Sequence, residues 1–267
     1  MHTELNKLIQ PVIDIAAKAG ERILEIYTTE FSVETKDDKS PLTAADKASH
    51  ETIVAALEAL TPDIPVLSEE STAISWAERS AWPEYWLIDP LDGTKEFIKR
   101  NGEFTVNIAL IQGNTAVLGV VLVPVNNRCF YGYQGGGAFE RTPEGDIRAI
   151  QVTADTQSPL RVVGSRSHRG ESLDAYLNRL GEHVMVPMGS SLKLCLVANG
   201  EADIYPRLGL TSEWDTAAAQ AVVECAGGKV VQLDGQPLLY NAKENILNPF
   251  FLVYGNTDRD WTSYLAD

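Results

Sequence analysis

The sequence has little cysteine, little positive charge and no long apolar run, and each shortage excludes a class of protein. Its 3 cysteines show no CxxC spacing, which argues against a disulfide framework and against a zinc site. Lys and Arg total 22 against 37 acidic residues, so we do not expect nucleic-acid or anionic-membrane binding. No stretch approaches the ~20 apolar residues of a transmembrane helix. The first ten residues also lack the apolar core of a signal peptide, so we expect a cytoplasmic protein, with peripheral association at the inner membrane left open.

Apolar patterning in the 267 residues predicts a mixed α/β protein with a sizeable core. Helical spacing predicts helices over 3–27 and from Thr43 to about Leu60, separated by the polar stretch TKDDKSPLT, which is typical of a loop. Strands are predicted at 65–67, 85–89, 104–111, 116–123, 129–133, 138–141, 160–164, 183–187, 202–205, 229–233 and 251–254, and later helices near 170–180, 190–199, 214–226 and 257–265. We therefore expect an α+β subdomain over 1–150 and an α/β subdomain over 151–267.

The most informative stretch is WLIDPLDGTKEF, in which an apolar strand leads directly into two acids, Asp89 and Asp92. Two carboxylates three positions apart repel each other unless a cation lies between them. Mg²⁺ prefers oxygen ligands, and the Leu91 carbonyl could supply a third oxygen. Gly93 permits a close backbone approach, and Thr94 begins a short helix whose first N–H groups could bind a phosphate. The segment therefore indicates a metal–phosphate site.

Each acidic segment, taken alone, also has a simpler structural explanation. Asp92-Gly93 is typical of a turn, and Glu69-Glu70 after a strand is typical of a solvated loop. The segment Thr43–Asp46 fits a capping box, and Asp215 fits an acid at a helix N-terminus. Only a fold that brings these segments together would make them one site, and sequence spacing does not show that.

The motifs together resemble those of a known family. D-P-L-D-G-T, with S-E-E upstream and W-D-T-A downstream, resembles the inositol monophosphatase superfamily over nearly the whole chain. The resemblance implies a layered αβαβα sandwich and a Mg²⁺-dependent, lithium-sensitive phosphatase. The longer string D-P-L-D-G-T-K-E-F-I, with T-A-A-D, G-S-R-S-H and S-S-L-K, is similar to the bacterial 3′(2′),5′-bisphosphate nucleotidase branch. Lys95 and Glu96 stand where inositol phosphatases usually carry Thr and Asn, which favours a nucleotide substrate.

The resemblance also implies roles for individual residues. Two Mg²⁺ ions about 4 Å apart, with a third ion left open, would activate water and neutralise charge on the leaving oxygen. The implied metal ligands are Glu69, Asp89, the Leu91 carbonyl, Asp92 and Asp215. The implied catalytic residues are Asp46, Thr94 and Glu69, of which Thr94 and Asp46 would orient and deprotonate the attacking water. The implied substrate-binding residues are Gly93, Thr94, Ser165, His168, Gly189 and Lys193.

Three functional hypotheses follow from these patterns. The first is hydrolysis of the 3′-phosphate of adenosine 3′,5′-bisphosphate in sulfur metabolism, with adenosine 3′-phosphate 5′-phosphosulfate as a further possible substrate. The second is hydrolysis of inositol monophosphate or another sugar phosphate. The third is an inactive regulator that binds metal or nucleotide, and the completeness of the acidic set argues against it. The expected partner is a small nucleotide, and the expected assembly is a monomer or homodimer.

His168, Arg166 and Lys193 also have a simpler explanation as exposed polar residues, and so do Lys95, Lys99, Arg100 and Arg207. The haloacid-dehalogenase phosphatases need D-x-D with a nucleophilic Asp, whereas this chain has D-x-x-D. We therefore expect direct attack by water without a phosphoenzyme.

Overall fold

Helices and strands follow one another largely as the apolar patterns predict. The structure is a computed structural model and describes residues 4–30, 32–35, 41–71, 74–154, 158–165 and 170–265. The helices are α1 Leu5–Tyr27, α2 Ala44–Leu60, α3 Trp76–Arg79, α4 Thr94–Ile98, α5 Glu171–Leu180, α6 Leu192–Ala198 and α7 Ala217–Cys225, with 3₁₀ turns at Glu213–Asp215 and Trp261–Tyr264. The strands are β1 Val33–Thr35, β2 Pro41–Thr43, β3 Val66–Ser68, β4 Glu84–Asp92, β5 Thr105–Gln112, β6 Thr115–Val123, β7 Arg128–Tyr133, β8 Gly137–Arg141, β9 Ile147–Ala149, β10 Leu160–Gly164, β11 His183–Pro187, β12 Ile204–Arg207, β13 Lys229–Gln232 and β14 Phe251–Tyr254.

The strands form two large sheets and one small hairpin. The larger sheet has seven strands in sequence order from β3 to β9, and all its pairs are antiparallel except β3–β4. The smaller sheet has the order β11-β10-β12-β14-β13, with β10 parallel to both of its neighbours. Strands β1 and β2 pair antiparallel by themselves. The chain therefore completes the larger sheet before it begins the smaller one.

The two large sheets and the helices form five layers. Helices α1 and α2 cover one face of the larger sheet, where their apolar residues pack with Ile108 and Val120. The opposite face packs against α6 and α7, which lie between the two sheets. Helix α5 and the turn Trp261–Tyr264 cover the outer face of the smaller sheet. This arrangement confirms the predicted αβαβα sandwich, and none of the helices in the described ranges has the length and apolar character needed to cross a membrane.

The central strands are buried on both faces, which explains their continuous apolar runs. Along β5, Ile108 faces α1 and α2 whereas Ala109 and Ile111 face α6 and α7. Residue 150 lies between the last strand of the larger sheet and the first strand of the smaller one. The core between the sheets nevertheless includes residues from both sides of that position. The division into subdomains 1–150 and 151–267 stays a prediction.

The structure corrects several predicted bounds. The polar stretch predicted as a loop contains β2, and the strand predicted at 202–205 is β12, which begins at Ile204. The helix predicted over 214–226 is interrupted at Thr216 (φ −120°), because Asp215 ends a separate turn by accepting the N–H of Ser212. In the segment 257–265, predicted as a helix, the structure contains only a short 3₁₀ turn.

Helix α7 lies very close to β6, and one glycine makes this approach possible. A Cβ atom added to Gly119 would lie 2.0 Å from the carbonyl oxygen of Ala218 and 3.0 Å from the Ala218 Cα. These are backbone atoms, so they cannot move away as a flexible side chain would. The Ala-rich composition of α7 and the absence of a side chain at Gly119 therefore determine the spacing between helix and sheet.

We predict that Gly119→Ala lowers the free energy of unfolding by at least about 2 kcal/mol, since the added methyl group must displace backbone. Chemical denaturation measures the effect. Gly170→Ala is the matched control, because a Cβ at Gly170 meets nothing within 4 Å, and its cost should stay below about 1 kcal/mol. Equal losses for the two variants would contradict the close approach of α7 to β6.

Candidate active site

The acidic segments singled out in the sequence meet around the end of β4. Strand β3 pairs parallel with β4 in the register Ser68 to Ile88, and the Glu69 N–H donates to the Ile88 carbonyl at 3.2 Å. Glu69 therefore lies beside Asp89. Helix α2, with Asp46 in its first turn, packs against β4, and so does the 3₁₀ turn that ends at Asp215. The structure thus brings together acids that are up to 169 positions apart in the sequence.

Asp89 and Asp92 lie on either side of an irregularity in β4. Asp89 pairs with Asn107 and Asp92 pairs with Thr105, so Pro90 and Leu91 together lie opposite a single residue of β5. This corrects the prediction that the strand ends at Asp89. Proline has no N–H to donate to a neighbouring strand, and a bulge accommodates that loss without ending the strand. The Pro90 carbonyl is bound instead by the Ser49 hydroxyl, at 2.7 Å.

The site concentrates negative charge in a place that is largely shielded from water. Burial and then the charges of Glu69, Asp92 and Asp215 raise the pKa of Asp89, which is 2% exposed, well above its usual range. Burial and the charge of Asp92 likewise raise the pKa of Asp215 to about 8, although the Ser212 N–H opposes the shift. A side-chain hydrogen bond also joins Glu69 to Asp89. The fold therefore holds four carboxyl groups within electrostatic reach of one another.

Asp46 and Thr94 form a second polar pair beside these carboxyl groups. The Thr94 hydroxyl lies 3.2 Å from Asp46 Oδ1 and 3.4 Å from the Leu91 carbonyl oxygen. Asp46 Oδ2 accepts the N–H and the hydroxyl of Thr43, at 2.8 and 2.6 Å. One oxygen of Asp46 is therefore fixed by the helix cap while the other contacts Thr94.

The capping interpretation of Asp46 and Asp215 is compatible with their predicted place in an active site. Asp46 completes the predicted capping box with Thr43, and Asp215 completes an equivalent box with Ser212. In each case a backbone N–H binds one oxygen of the carboxylate and so fixes the orientation of the group. The capping hydrogen bonds thus orient the side chains of Asp46 and Asp215 towards the site.

Two polar residues that sequence reasoning did not single out contact Asp92. The N–H and the hydroxyl of Ser191 lie 2.5 and 2.6 Å from Asp92 Oδ2, and the Asn107 amide nitrogen lies 2.8 Å from the Ser191 hydroxyl. Ser191 belongs to the motif S-S-L-K, in which the sequence analysis gave a role only to Lys193. Asn107 gave one signal that could have found it: it is the only strongly polar residue within the apolar run 106–111.

A cavity of about 280 Å³ opens beside the carboxyl groups and includes six of the predicted residues. These are Asp92, Gly93, Ser165, Gly189, Lys193 and Asp215. A second cavity of about 510 Å³ shares Lys95, Ser165, Tyr205 and Arg207 with the first. Lys193 is half-buried rather than a surface charge, and its ammonium group lies 5.8 Å from the centre of the Tyr205 ring. Burial lowers the pKa of Lys193, whereas the nearby Asp92 raises it.

Protein acids bind the backbone N–H groups just before and at the start of α6. Gly189 N–H donates to Glu103 Oε2 at 2.9 Å, and Ser191 N–H donates to Asp92. Positive charge in the cavity therefore comes from side chains, namely Lys193, Arg207 and Lys95. The predicted contact His168 and its neighbour Arg166 lie outside the described residues.

The carboxyl groups make hydrogen bonds within the protein in this structure. Within the described ranges, no group of three or more His, Cys, Asp or Glu side chains is arranged so that it could hold a metal ion as it stands. The chemistry of the donors nevertheless fits a hard cation, because every side chain in the cluster offers carboxylate oxygen and their mutual repulsion favours a positive partner. The Leu91 carbonyl adds a neutral oxygen next to Thr94.

Comparison with known proteins agrees with this geometry. The model of the inositol monophosphatase family matches residues 4–260. The chain belongs to this family. A relative from Escherichia coli K12, named 3′(2′),5′-bisphosphate nucleotidase CysQ, is 50% identical over 92% of this chain and 99% of its own length. A relative of the same name from Haemophilus influenzae is 37% identical over 96% of both chains.

Solved structures of family members have the same fold. CysQ from Bacteroides thetaiotaomicron superposes with a TM-score of 0.83 at 41% identity, covering 96% of this chain and 99% of that one. The inositol monophosphatase from Anabaena superposes with a TM-score of 0.73 at 24% identity, and the match covers 97% of this chain and 95% of that one. At this identity the match supports the fold alone. The family and the fold predicted from D-P-L-D-G-T and its companion motifs are both confirmed.

We predict that Asp89→Asn raises the free energy of unfolding of the metal-free protein by about 1 kcal/mol, or roughly 2–4 °C in melting temperature. A carboxyl group whose pKa is raised by folding destabilises the folded state as pH rises above its unfolded pKa, about 4. The increase in the free energy of unfolding caused by Asp89→Asn should therefore be larger at about pH 8 than at about pH 5. Thermal unfolding in EDTA at both pH values measures it.

The matched control for this prediction is Asp203→Asn. Asp203 is also fully buried, but its carboxylate lies 2.7 Å from the guanidinium of Arg161. Removing that charge leaves the half-buried arginine without its ionic partner, so the variant should lose stability. Destabilisation by Asp89→Asn in EDTA would refute the repulsion among the carboxyl groups.

Proposed function

We propose that the chain is a metal-dependent phosphatase that removes the 3′-phosphate of adenosine 3′,5′-bisphosphate, giving AMP and inorganic phosphate. The observation that carries the proposal is the convergence of acids from both halves of the chain around the end of β4, beside a cavity that Lys193 and Arg207 line. Relatives that share half of its residues and bear the nucleotidase name support the choice of substrate. The acids are Asp46, Glu69, Asp89, Asp92 and Asp215.

The proposed metal is Mg²⁺, as two or three ions held by Glu69, Asp89, the Leu91 carbonyl, Asp92 and Asp215. When bound, Mg²⁺ supplies positive charge that makes the phosphorus more electrophilic and water more acidic. Binding would exchange the hydrogen bond between Glu69 and Asp89 for contacts with the cation. Asp89, whose pKa is raised by the charges of Glu69, Asp92 and Asp215, would be one of the residues that hold the metal.

The proposed path for the proton leads from the attacking water through Thr94 to Asp46. A water bound to the Thr94 hydroxyl would lose its proton to Thr94 as Thr94 passes its own proton to Asp46 Oδ1. Glu69 would hold this water from the other side. The water oxygen attacks phosphorus, the bond from phosphorus to the 3′ oxygen breaks, and the departing oxygen takes a proton from solvent. The cap from Thr43 keeps Asp46 in place throughout.

The two cavities, which share four lining residues, would hold the nucleotide. We assign the 3′-phosphate to the end of the smaller cavity that Asp92 and Gly93 line, with Thr94 next to Gly93 in the chain. The second phosphate would contact Lys193 and Gly189, and the nucleoside would extend past Ser165 into the larger cavity. His168 stays a predicted contact. Gly189 could donate to a phosphate only if Glu103 released its N–H, so Lys193 is the stronger of the two proposed contacts.

The remaining assignments follow from the same proposal. The protein would work in the cytoplasm as a monomer or homodimer, with peripheral association at the inner membrane as a further option. Adenosine 3′-phosphate 5′-phosphosulfate carries the same 3′-phosphate and would enter the same site.

We predict Mg²⁺-dependent release of phosphate from adenosine 3′,5′-bisphosphate, faster than from inositol 1-phosphate at equal concentration, and none in EDTA. The lysine and arginine around the cavity give the second phosphate a counter-charge that inositol 1-phosphate cannot use. A colorimetric phosphate assay measures the release of phosphate from each of the two substrates, once with Mg²⁺ and once with EDTA. Faster hydrolysis of inositol 1-phosphate would contradict the nucleotide assignment. Binding of the nucleotide without turnover would favour an inactive regulator.

A pair of variants tests whether the release of phosphate depends on the cluster of carboxyl groups. Asp92→Asn removes a proposed ligand while keeping the size of the side chain, and activity should fall on the order of 10³-fold. Asp63→Asn is the matched control, because Asp63 is exposed in the turn after α2 and should leave activity unchanged. Equal rates for the two variants would remove Asp92 from the site.

A further inference from the structure

Ser191 connects two acids that come from different halves of the chain. Its hydroxyl oxygen lies 2.6 Å from Asp92 Oδ2 and 2.6 Å from the main-chain carbonyl oxygen of Asp215. Its N–H donates to the same oxygen of Asp92, at 2.5 Å. Ser191 is only 2% exposed, so water does not compete for these contacts. A single neutral residue thus links the side chain of one proposed ligand to the backbone of another.

Asn107 fixes the orientation of the Ser191 hydroxyl. A hydroxyl group has one proton to donate, and both Asp92 and the Asp215 carbonyl can only accept. The Asn107 amide donates to the Ser191 oxygen at 2.8 Å and lies 3.5 Å from Asp92 Oδ2. This contact occupies a lone pair of the hydroxyl and turns its proton towards the two acceptors. Asn107 is itself 1% exposed and lies opposite Asp89 in the sheet.

These contacts oppose the repulsion within the cluster. Asp92 contributes to the raised pKa of both Asp89 and Asp215, so its carboxylate is repelled from two sides. Neutral donors hold a carboxylate without adding a positive charge that would compete with a cation. A lysine in the position of Ser191 would cancel the charge that the site needs. The pair Ser191 and Asn107 therefore suits a ligand that must stay charged and stay in place.

We propose that Ser191, oriented by Asn107, is a positioning residue that fixes the Asp92 carboxylate relative to the Asp215 turn and so raises the affinity of the site for a divalent cation. The proposal rests on the proposed function, because it takes Asp92 and Asp215 as ligands. The inference makes a prediction of its own, separate from the proposed function. Loss of the Ser191 hydroxyl should weaken metal binding, whereas the rate of phosphate release at saturating metal should stay the same.

The test is a titration of the purified full chain with Mn²⁺, in which electron paramagnetic resonance measures the free ion. Ser191→Ala should bind Mn²⁺ roughly 10-fold more weakly than the unmodified chain, the range found for groups that orient metal ligands. The Mg²⁺ concentration that gives half-maximal phosphate release should shift by a similar factor. At saturating Mg²⁺, kcat and the KM for the nucleotide should return close to the original values.

Two further variants separate positioning from general loss of structure. Asn107→Leu keeps the size of the side chain but removes the donor to Ser191, and it should weaken Mn²⁺ binding in the same direction. Tyr176→Phe is the matched control. It removes a buried hydroxyl that donates to the Trp261 carbonyl at 2.9 Å on the outer face of the smaller sheet. Tyr176→Phe should leave Mn²⁺ affinity unchanged.

The outcomes distinguish the two proposals. If the unmodified chain binds Mn²⁺ and both site variants bind it equally well, the positioning role is overturned and the proposed function stands. If the variants lose kcat that saturating metal does not restore, Ser191 acts in some other way and the inference is wrong. If the unmodified chain binds no Mn²⁺, the proposed function fails, and the inference fails with it.

Discussion

Mutual repulsion among closely grouped carboxyl groups, with Asp89 buried at their centre, is the constraint that organises this site. Asp89, Asp92, Asp215 and Glu69 lie within electrostatic reach of one another, and burial around Asp89 and Asp215 reduces the screening of these charges by water. Protein hydrogen bonds oppose the repulsion: a backbone N–H holds Asp215, and Ser191 holds Asp92. Such a cluster destabilises the folded chain unless a cation joins it, which is typical of sites kept for function.

The layered fold provides the rigidity that this cluster requires. The larger sheet presents Glu69, Asp89 and Asp92 at the ends of two parallel neighbours, and the layer between the sheets supplies Ser191 and Asp215. The close approach of α7 to Gly119 fixes the position of that layer against the sheet. Stability of the core and geometry of the site thus depend on the same contacts.

The sequence predicted most of the helices and strands, and it singled out the acids that the structure brings together, because both leave local signals. Apolar spacing identified the long helices and the buried strands, and D-P-L-D-G-T singled out two acids that the structure places beside Glu69 and Asp215. It did not predict the bulge at Pro90, since a proline after a strand is equally typical of a turn. Contacts between distant segments left no local trace: Ser191 lies 99 positions from Asp92, and Glu103 lies 86 from Gly189. Those contacts depend on how the layers stack, which composition and periodicity do not encode.

The most direct test of the account is to locate the cation itself. Crystals of the unmodified chain grown with Mn²⁺ would reveal each ion by its anomalous scattering. We predict at least two peaks among the carboxyl groups of Glu69, Asp89, Asp92 and Asp215, with the Leu91 carbonyl within coordination distance of one of them. Crystals in which Mn²⁺ binds elsewhere, while these carboxyl groups keep their hydrogen bonds to one another, would contradict the account.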